Sequence, residues 1–202
     1  HLSIRRQRQM CIRDRPLGLS GVMRVTKLCK YLPDFGWEPL VLTAEPSAYF
    51  HYDERLLADL DRSRVFRTES LDPGRVLNRL RPGSRRSEPV AETVARGPAR
   101  LARALLYPDS KVGWVPFALR RGLRIIEEEK PHAVFATAPP FTALWLGLRF
   151  KARGRLPLIA DFRDPWPTGF RPPPALHRSA LRRFRRGVVR RADAVLAVNE
   201  GT

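Results

Sequence analysis

Cysteine is scarce in this sequence. The 202 residues include only Cys11 and Cys29, which lie far apart and outside any CxxC or Cys/His cluster. Neither a disulfide framework nor a zinc site is indicated, so a reducing, cytoplasmic compartment is the expected environment. The four histidines form no pattern, and none is assigned to a metal. The longest uncharged stretch, residues 133–148, is shorter than the ~18 residues that a membrane-spanning helix needs.

Acidic residues are few as well. The chain has 20 Asp and Glu against 38 Lys and Arg, a formal net charge of +18. Such a surface attracts polyanions, and charge alone does not choose between nucleic acid, nucleotide phosphates and an anionic membrane. Hydrophobic residues, in contrast, make up 43% of the chain, which excludes a disordered tail and predicts about one folded domain.

The two ends of the chain differ from its body. Residues 1–15 contain five arginines and one acid, without apolar periodicity or the pattern of a signal peptide, so we interpret them as a non-native leader. Residues 16–202 form the expected domain. An Arg- and Pro-rich stretch near residues 71–103 predicts a mobile insertion. Because the chain stops just after a strand-like run, we expect a fragment of a longer protein.

Helical and extended patterns alternate along the body. Apolar strands separated by helix-length segments predict an α/β fold with a Rossmann-like, three-layer parallel sheet. A glycine loop in such a sheet should follow a strand, and because the leader stands in that place we expect the first strand to be missing. Helices are predicted at about 22–32, 116–129, 141–152 and 175–191, and strands at 40–43, 65–68, 133–137, 158–162 and 194–198.

The glycine loop itself is Gly18-Leu-Ser20-Gly21. It matches neither GxGxxG nor the phosphate loop GxxxxGK[ST], but small residues at a helix start leave free N–H groups for an anion. A simple tight turn is the other interpretation. Arg24, one turn into the helix, is placed either to reach a phosphate or to lie in water.

The most informative stretch is the end of the strand at 158–162, which runs into Asp161-Phe-Arg163-Asp164-Pro-Trp166. Parallel sheets bind ligands outside the carboxyl ends of their strands. Carboxylates there can act as a base or hold a hydroxyl, and Arg163 can orient them or meet a phosphate. An internal Asp–Arg pair that fixes a loop is the alternative.

Two further segments allow two interpretations each. Pro139-Pro140 and Thr142 follow the preceding strand, where they form either a ligand contact or a rigid turn with Thr142 capping the next helix. Residues 107–114 mix aromatic and charged side chains, which either line a pocket or belong to the core.

A strongly basic helix is predicted near the end of the chain. Residues 177–191 contain seven arginines and no acid, while Leu181, Phe184 and Val188 form one apolar stripe. This pattern suits a helix that packs on the sheet and faces anionic lipid, although a solvated basic face fits equally. The candidate membrane-facing residues are Arg182, Arg183, Arg186 and Arg190.

Five ordered motifs together resemble the N-terminal domain of bacterial family 4 glycosyltransferases with the GT-B fold. They read P-x-G-x-S-G-V-x-R-V-T-K, Y-L-P-D-F-G-W-E-P-L-V-L-T, Y-P-D-S-K-V-G-W, A-T-A-P-P-F-T-A and D-F-R-D-P-W. The resemblance implies a retaining enzyme of two Rossmann-like domains. Such an enzyme moves a hexose from a nucleotide-sugar to a cell-surface polysaccharide or lipid-linked acceptor, at the cytoplasmic face of the plasma membrane.

The resemblance also implies roles for individual residues. Gly18, Ser20 and Gly21 match the loop that faces the donor phosphates and the acceptor, and Asp161 or Asp164 would position the acceptor hydroxyl, with Arg163 beside them. No metal or other cofactor is implied, so cationic groups and helix dipoles must stabilise the departing diphosphate. The C-terminal donor-binding domain is absent, so this chain alone should be inactive. The candidate binding set is completed by Arg24, Pro140 and Thr142.

Two other functional classes remain open from the residues. The basic charge fits a nucleic-acid-binding module, but the sequence has no RNP, KH, zinc-finger or helix-turn-helix signature, which makes nucleic acid the less favoured partner. A non-catalytic, nucleotide-binding Rossmann-like domain is the third possibility.

Overall fold

A six-stranded parallel sheet organises the part of the chain that this computed structural model describes, namely residues 7–12, 20–45, 64–71, 107–163 and 175–198. The spatial order is β3-β2-β1-β4-β5-β6, and every neighbouring pair is parallel. The predicted α/β class with a parallel sheet is therefore confirmed. The strands are β1 Gln7–Ile12, β2 Trp37–Ala44, β3 Arg64–Thr68, β4 Ala133–Ala138, β5 Leu158–Phe162 and β6 Ala194–Ala197.

Helices cover both faces of the sheet, as the alternating pattern predicts. Each element after residue 114 begins within one residue of its predicted start, because buried strands and amphipathic helices have distinct periods there. The short 3-10 helices Leu32–Phe35 and Val112–Trp114 follow α1 and precede α2. The helices are α1 Ser20–Tyr31, α2 Val115–Glu129, α3 Phe141–Gly154 and α4 Ala175–Arg191.

The expectation that the first strand is missing is wrong. β1 lies at the centre of the sheet, where Cys11 is in register with Val41 of β2 and with Phe135 of β4. Its sequence, QRQMCI, lacks the continuous apolar run that marks a buried parallel strand, so local pattern could not find it. The interpretation of residues 1–15 as a non-native leader stays a prediction, although six of them form this strand.

The core divides into two layers, one on each side of the sheet. On the first side Val25 and Cys29 of α1 pack with Val41 and Phe135. The second side holds the larger cluster, which includes α2 and α3 and the fully buried Val188 of α4. Because side chains alternate along a strand, the two clusters use alternate residues. The strand residues of the larger cluster are Leu40, Leu42, Ala44, Val134, Ala136, Ala138, Leu158, Ala160 and Phe162.

An ion pair joins α3 to the start of β6. Lys151 donates a hydrogen bond to Asp193, whose Oδ2 also accepts one from the backbone N–H of Leu158 at 2.7 Å. The hydrogen bond from Lys151 and then the bond from Leu158 lower the pKa of Asp193 from its usual 3.8. The ionised carboxylate therefore contributes to stability above the unfolded-state pKa, and the contribution is lost as pH falls through the lowered folded-state value.

Replacement of Asp193 by Asn tests this assignment. Since nearly half of the Asp193 side chain is exposed, we expect a loss of less than about 1 kcal/mol in the free energy of unfolding at pH 7. Below the lowered pKa the wild-type carboxyl is protonated too, so the difference between the two proteins should shrink. Urea unfolding at both pH values measures it, and an equal difference at both would contradict the assignment.

The predicted mobile insertion, residues 71–103, lies outside the described residues except for Leu71. In the described ranges, no helix combines the length and the apolar character that crossing a bilayer requires.

Candidate active site

The strand order places a ligand crevice between β1 and β4. The chain proceeds from β1 towards β2 and β3 on one side, whereas β4 leads to β5 and β6 on the other. In open parallel sheets ligands bind at the carboxyl ends of the strands where the order reverses in this way. Ser20 and Gly21 open α1 as the glycine-loop motif predicts, while Gly18 lies outside the described residues.

Asp161 is fully buried near the carboxyl end of β5. Its register partner on β4, Thr137, donates a hydrogen bond from Oγ1 to Oδ2 of Asp161 at 2.7 Å. Oδ1 of Asp161 lies 3.2 Å from Nη2 of Arg24, whose side chain is 37% exposed. The structure thus joins two of the predicted site residues, Arg24 and Asp161, and adds Thr137, which the sequence analysis did not single out.

A row of polar side chains crosses this end of the sheet on the side that α1 covers. On this side of the sheet β2 carries Val41 and β4 carries Phe135, which are both apolar. Two residues further along each strand, at the next position on the same face, are Thr43 and Thr137, both fully buried. Thr43 Oγ1 has no hydrogen-bond partner among the residues that the structure describes. One sequence signal could have found Thr137. Along a buried strand, the last residue on the face towards a helix changes from apolar to polar.

Arg163 contacts the crossover that follows β4. Its backbone N–H donates to the carbonyl of Ala138 at 3.0 Å, and its guanidinium donates to the carbonyl of Pro139. Both contacts fix the two prolines, whose peptide bonds Ala138–Pro139 and Pro139–Pro140 are cis. Asp164 lies outside the described residues.

The N-terminus of α3 already holds a carboxylate. Pro140 is its N-cap and offers no side-chain cap, and Thr142 does not cap the helix as one interpretation had it. Instead Thr142 donates from its backbone N–H to Asp109 Oδ2 at 2.9 Å and from Oγ1 to Asp109 Oδ1 at 2.8 Å. Because Asp109 fills the place of an anion there, the described geometry favours α1 over α3 as an anion site. Sequence reasoning missed Asp109 because it lies 33 residues before the helix that it caps.

The segment that carries Asp109 is anchored by its aromatic residues. Trp114 is 1% exposed and donates from Nε1 to Thr68 Oγ1 at 2.7 Å, so the core interpretation holds for it. Tyr107 instead lies against α4, with its ring edge-on to Phe184 and its hydroxyl donating to the carbonyl of Ala180 at 3.2 Å. Partial burial raises the pKa of Tyr107.

Five of the seven arginines of α4 lie on a face of the helix away from its buried stripe. Leu181 and Val188 are buried against the sheet, and Phe184 is partly buried. The opposite face borders a groove of about 610 Å³. All four predicted membrane-facing residues line it, together with Arg191 at the end of the helix. The lining residues are Ser179, Arg182, Arg183, Arg186, Gly187, Arg190 and Arg191.

The described residues contain no group of three or more His, Cys, Asp or Glu side chains that could ligate a metal ion. On the side of the crevice that α1 covers, the structure describes an ion pair between the partly exposed guanidinium of Arg24 and the buried carboxylate of Asp161. This arrangement suits the binding of an anion, since the carboxylate is covered and the guanidinium has further N–H donors.

Comparison with known families shows which family the chain belongs to. The sequence matches the family described as Glycosyl transferase 4-like domain over residues 21–202. The chain belongs to this family. Among curated proteins none matches this glycosyltransferase 4-like chain significantly.

Solved structures share parts of the fold of this glycosyltransferase 4-like domain. SnogD, a glycosyltransferase from Streptomyces nogalater, is 20% identical with a TM-score of 0.46, and the match covers 96% of this chain and 45% of SnogD. Phytolacca americana UGT2, complexed with UDP-2fluoro-glucose and pterostilbene, is 10% identical with a TM-score of 0.49, covering 78% of this chain and 30% of UGT2. The chain thus spans less than half of either structure, and likeness at this level carries no argument about substrates.

Proposed function

We propose that this chain is the acceptor-side, N-terminal half of a bacterial GT-B glycosyltransferase of the retaining, hexose-transferring type. Its donor is a nucleotide-sugar and its acceptor a cell-surface polysaccharide or a lipid-linked glycan. The observation that carries the proposal is the match to the glycosyltransferase 4-like family over residues 21–202. The exposed guanidinium of Arg24 beside the crevice between β1 and β4 supports it, because a nucleotide-sugar brings a diphosphate.

In the proposed reaction, positive charge replaces a metal ion. Arg24 and the N-terminus of α1 stabilise the negative charge that develops on the diphosphate as the sugar leaves. We propose that Asp161 does not hold the acceptor hydroxyl, since its carboxylate is fully buried between Thr137 and Arg24. Of the two carboxylates considered for that role, Asp164 is therefore the one that we propose. No cofactor is part of the proposal.

A second domain completes the proposed enzyme. The crevice described here offers groups for the diphosphate, and we propose that most contacts to the nucleoside and the sugar come from a C-terminal donor-binding domain outside this chain. The chain alone should therefore release no nucleotide from a nucleotide-sugar. The gene, sequenced beyond codon 202, should continue into a second α/β domain.

A nucleotide-release assay tests the proposed activity. Radiolabelled UDP-, GDP-, ADP- and dTDP-sugars are offered to the chain and to any longer product of the same gene, with and without bacterial lipid extract as acceptor. We expect acceptor-dependent transfer by the longer product and none by the chain of 202 residues. Turnover by the short chain refutes the need for a second domain, and a longer product inactive with every donor refutes glycosyl transfer.

We propose in addition that α4 binds the inner face of the plasma membrane peripherally. Four of its five groove arginines, Arg182, Arg183, Arg186 and Arg190, project from one exposed face while Val188 anchors the opposite face in the core. Each arginine near an anionic surface contributes about 1 kcal/mol to binding. A lipid-linked acceptor would then be presented beside the enzyme.

Vesicle binding tests this placement. Replacing these four groove arginines by Gln should weaken binding to phosphatidylglycerol-containing vesicles well over tenfold. A matched variant with Gln at four exposed arginines of other elements should keep most of the binding, whereas an equal loss in both would indicate charge alone. Tighter binding to duplex DNA than to vesicles at the same salt would favour the nucleic-acid-binding alternative instead. The matched positions are Arg67, Arg120, Arg124 and Arg153.

A further inference from the structure

The burial of Asp161 separates it from any ligand in the crevice. Its side chain is 0% exposed, and its two oxygens face Thr137 Oγ1 at 2.7 Å and Arg24 Nη2 at 3.2 Å. A group that touches the reacting atoms must be reachable by the substrate, and this carboxylate is not. Any effect of Asp161 on the reaction must therefore pass through one of its two neighbours.

Arg24 is the neighbour that can pass such an effect on. It lies in the second turn of α1, close behind the glycine loop, and more than a third of its side chain is exposed. A guanidinium is planar and carries five N–H donors in a fixed fork, so a contact at one edge orients the donors at the other. Apart from Nη2, which lies next to Asp161, the guanidinium nitrogens have no described contact within the part of the chain that the structure describes.

Thr137 fixes the other side of the carboxylate. It is fully buried on β4, directly opposite Asp161 in the strand register, and its hydroxyl donates to the oxygen that Arg24 does not approach. Thr137 thus holds Oδ2, while Oδ1 makes no hydrogen bond with the described residues and meets Arg24 as an ion pair. Thr137 on β4 thus contacts the buried Asp161, and Asp161 contacts the partly exposed Arg24.

We propose that Asp161 is a positioning residue that aims the Arg24 guanidinium at the diphosphate bound between β1 and β4. The inference rests on the proposed function for the source of that diphosphate, which is the nucleotide-sugar. Asp161 makes no contact with the ligand, and Thr137 acts behind it by holding its carboxylate. Arg24 binds a phosphate oxygen directly.

Pyrophosphate binding by the full 202-residue chain tests the proposal, measured by calorimetry with all five groove arginines of α4 replaced by Gln so that the groove does not contribute. Arg24→Lys keeps a positive charge beside Asp161, but a single ammonium cannot hold the carboxylate and also reach an anion. We expect the Kd for pyrophosphate to rise about tenfold in this variant. Arg120→Lys, an exposed arginine of α2, is the matched control and should leave the Kd unchanged.

The direction of the change in the Kd for pyrophosphate in Asp161→Asn decides the test. Removing a negative charge near an anion site would by itself tighten anion binding. Weaker pyrophosphate binding by the folded variant would therefore come from loss of the orientation of the Arg24 guanidinium. We expect the Kd to rise about threefold or more, and the double variant Arg24→Lys/Asp161→Asn to bind no more weakly than Arg24→Lys alone. Should Asp161→Asn fail to fold, Thr137→Val keeps the carboxylate and should show a smaller rise.

Unchanged or tighter binding in Asp161→Asn overturns the proposal, as do additive effects in the double variant or an Arg24→Lys variant that binds like the parent. If no variant but Thr137→Val folds, an unchanged Kd there overturns it. A parent chain without saturable pyrophosphate binding does so as well. Arg24-dependent pyrophosphate binding, together with a longer product of the gene that transfers no sugar from any donor, would refute the proposed function and leave this inference intact. Glycosyl transfer by a longer product that Arg24→Lys leaves unchanged would refute this inference and leave the proposed function intact.

Discussion

Replacement of Arg24 by Gln is expected to lower the free energy of unfolding by about 2 to 3 kcal/mol. The variant leaves the carboxylate of Asp161 buried with a hydrogen bond from Thr137 and, among the described residues, without a paired cation. Breaking a buried ion pair by removing one partner costs about 3–5 kcal/mol. The partial exposure of Arg24 lets water screen the pair, which reduces the expected loss.

A double variant distinguishes the cost of an unpaired buried charge from the cost of lost packing. Arg24→Gln combined with Asp161→Asn removes both charges, so most of the stability should return. Arg120→Gln, an exposed arginine on α2, serves as the control and should change stability by no more than about 0.5 kcal/mol. Urea unfolding followed by circular dichroism measures all four proteins. If the double variant is as unstable as Arg24→Gln alone, the ion pair is not what holds α1 to β5.

The largest effect is expected for Trp114→Ala, with a loss of about 3–5 kcal/mol. Trp114 is 1% exposed in the larger core cluster, and its indole N–H bonds the hydroxyl of Thr68 on the edge strand β3. Since a domain of this size has a total stability of about 5–15 kcal/mol, the variant should be close to unfolding at 37 °C. Its cavity would also loosen the segment that delivers Asp109 to α3.

Two milder variants divide that loss into its parts. Trp114→Phe keeps most of the buried area and removes the hydrogen bond, and Thr68→Val removes the same bond from the other side. Each should lower stability by about 1–2 kcal/mol in urea unfolding. A loss for Trp114→Ala no larger than for Trp114→Phe would mean that packing of the indole contributes little, contrary to its position in the core.

Sequence pattern predicted the second half of the fold well and failed at its centre. β4, β5 and α3 have clear apolar periods, so their starts could be placed from local composition alone. β1 has no such period, and only its pairing with both β2 and β4 defines it as a strand. Local propensity is weak evidence for a central strand, because neighbouring strands can impose the extended conformation.

The candidate site was predicted in its residue types but not in its contacts. The motif that contains Asp161 and Arg163 lies at the carboxyl end of β5, as predicted, yet the two side chains contact different partners, Arg24 and Pro139. The capping of α3 by Asp109 joins segments 33 residues apart, and no short-range pattern contains such a contact. Strand register supplied Thr137, which becomes predictable only when β4 and β5 are aligned.

The most direct test of the account is amide hydrogen exchange of the chain with and without a nucleoside diphosphate such as UDP. The account predicts slower exchange in the first turns of α1, around residues 20–25, where the diphosphate binds beside Arg24, in the parent chain and equally in the variant with the groove arginines of α4 replaced by Gln. Slower exchange confined to α4, with none at the start of α1, would contradict the claim that the crevice between β1 and β4 is the anion site of this domain.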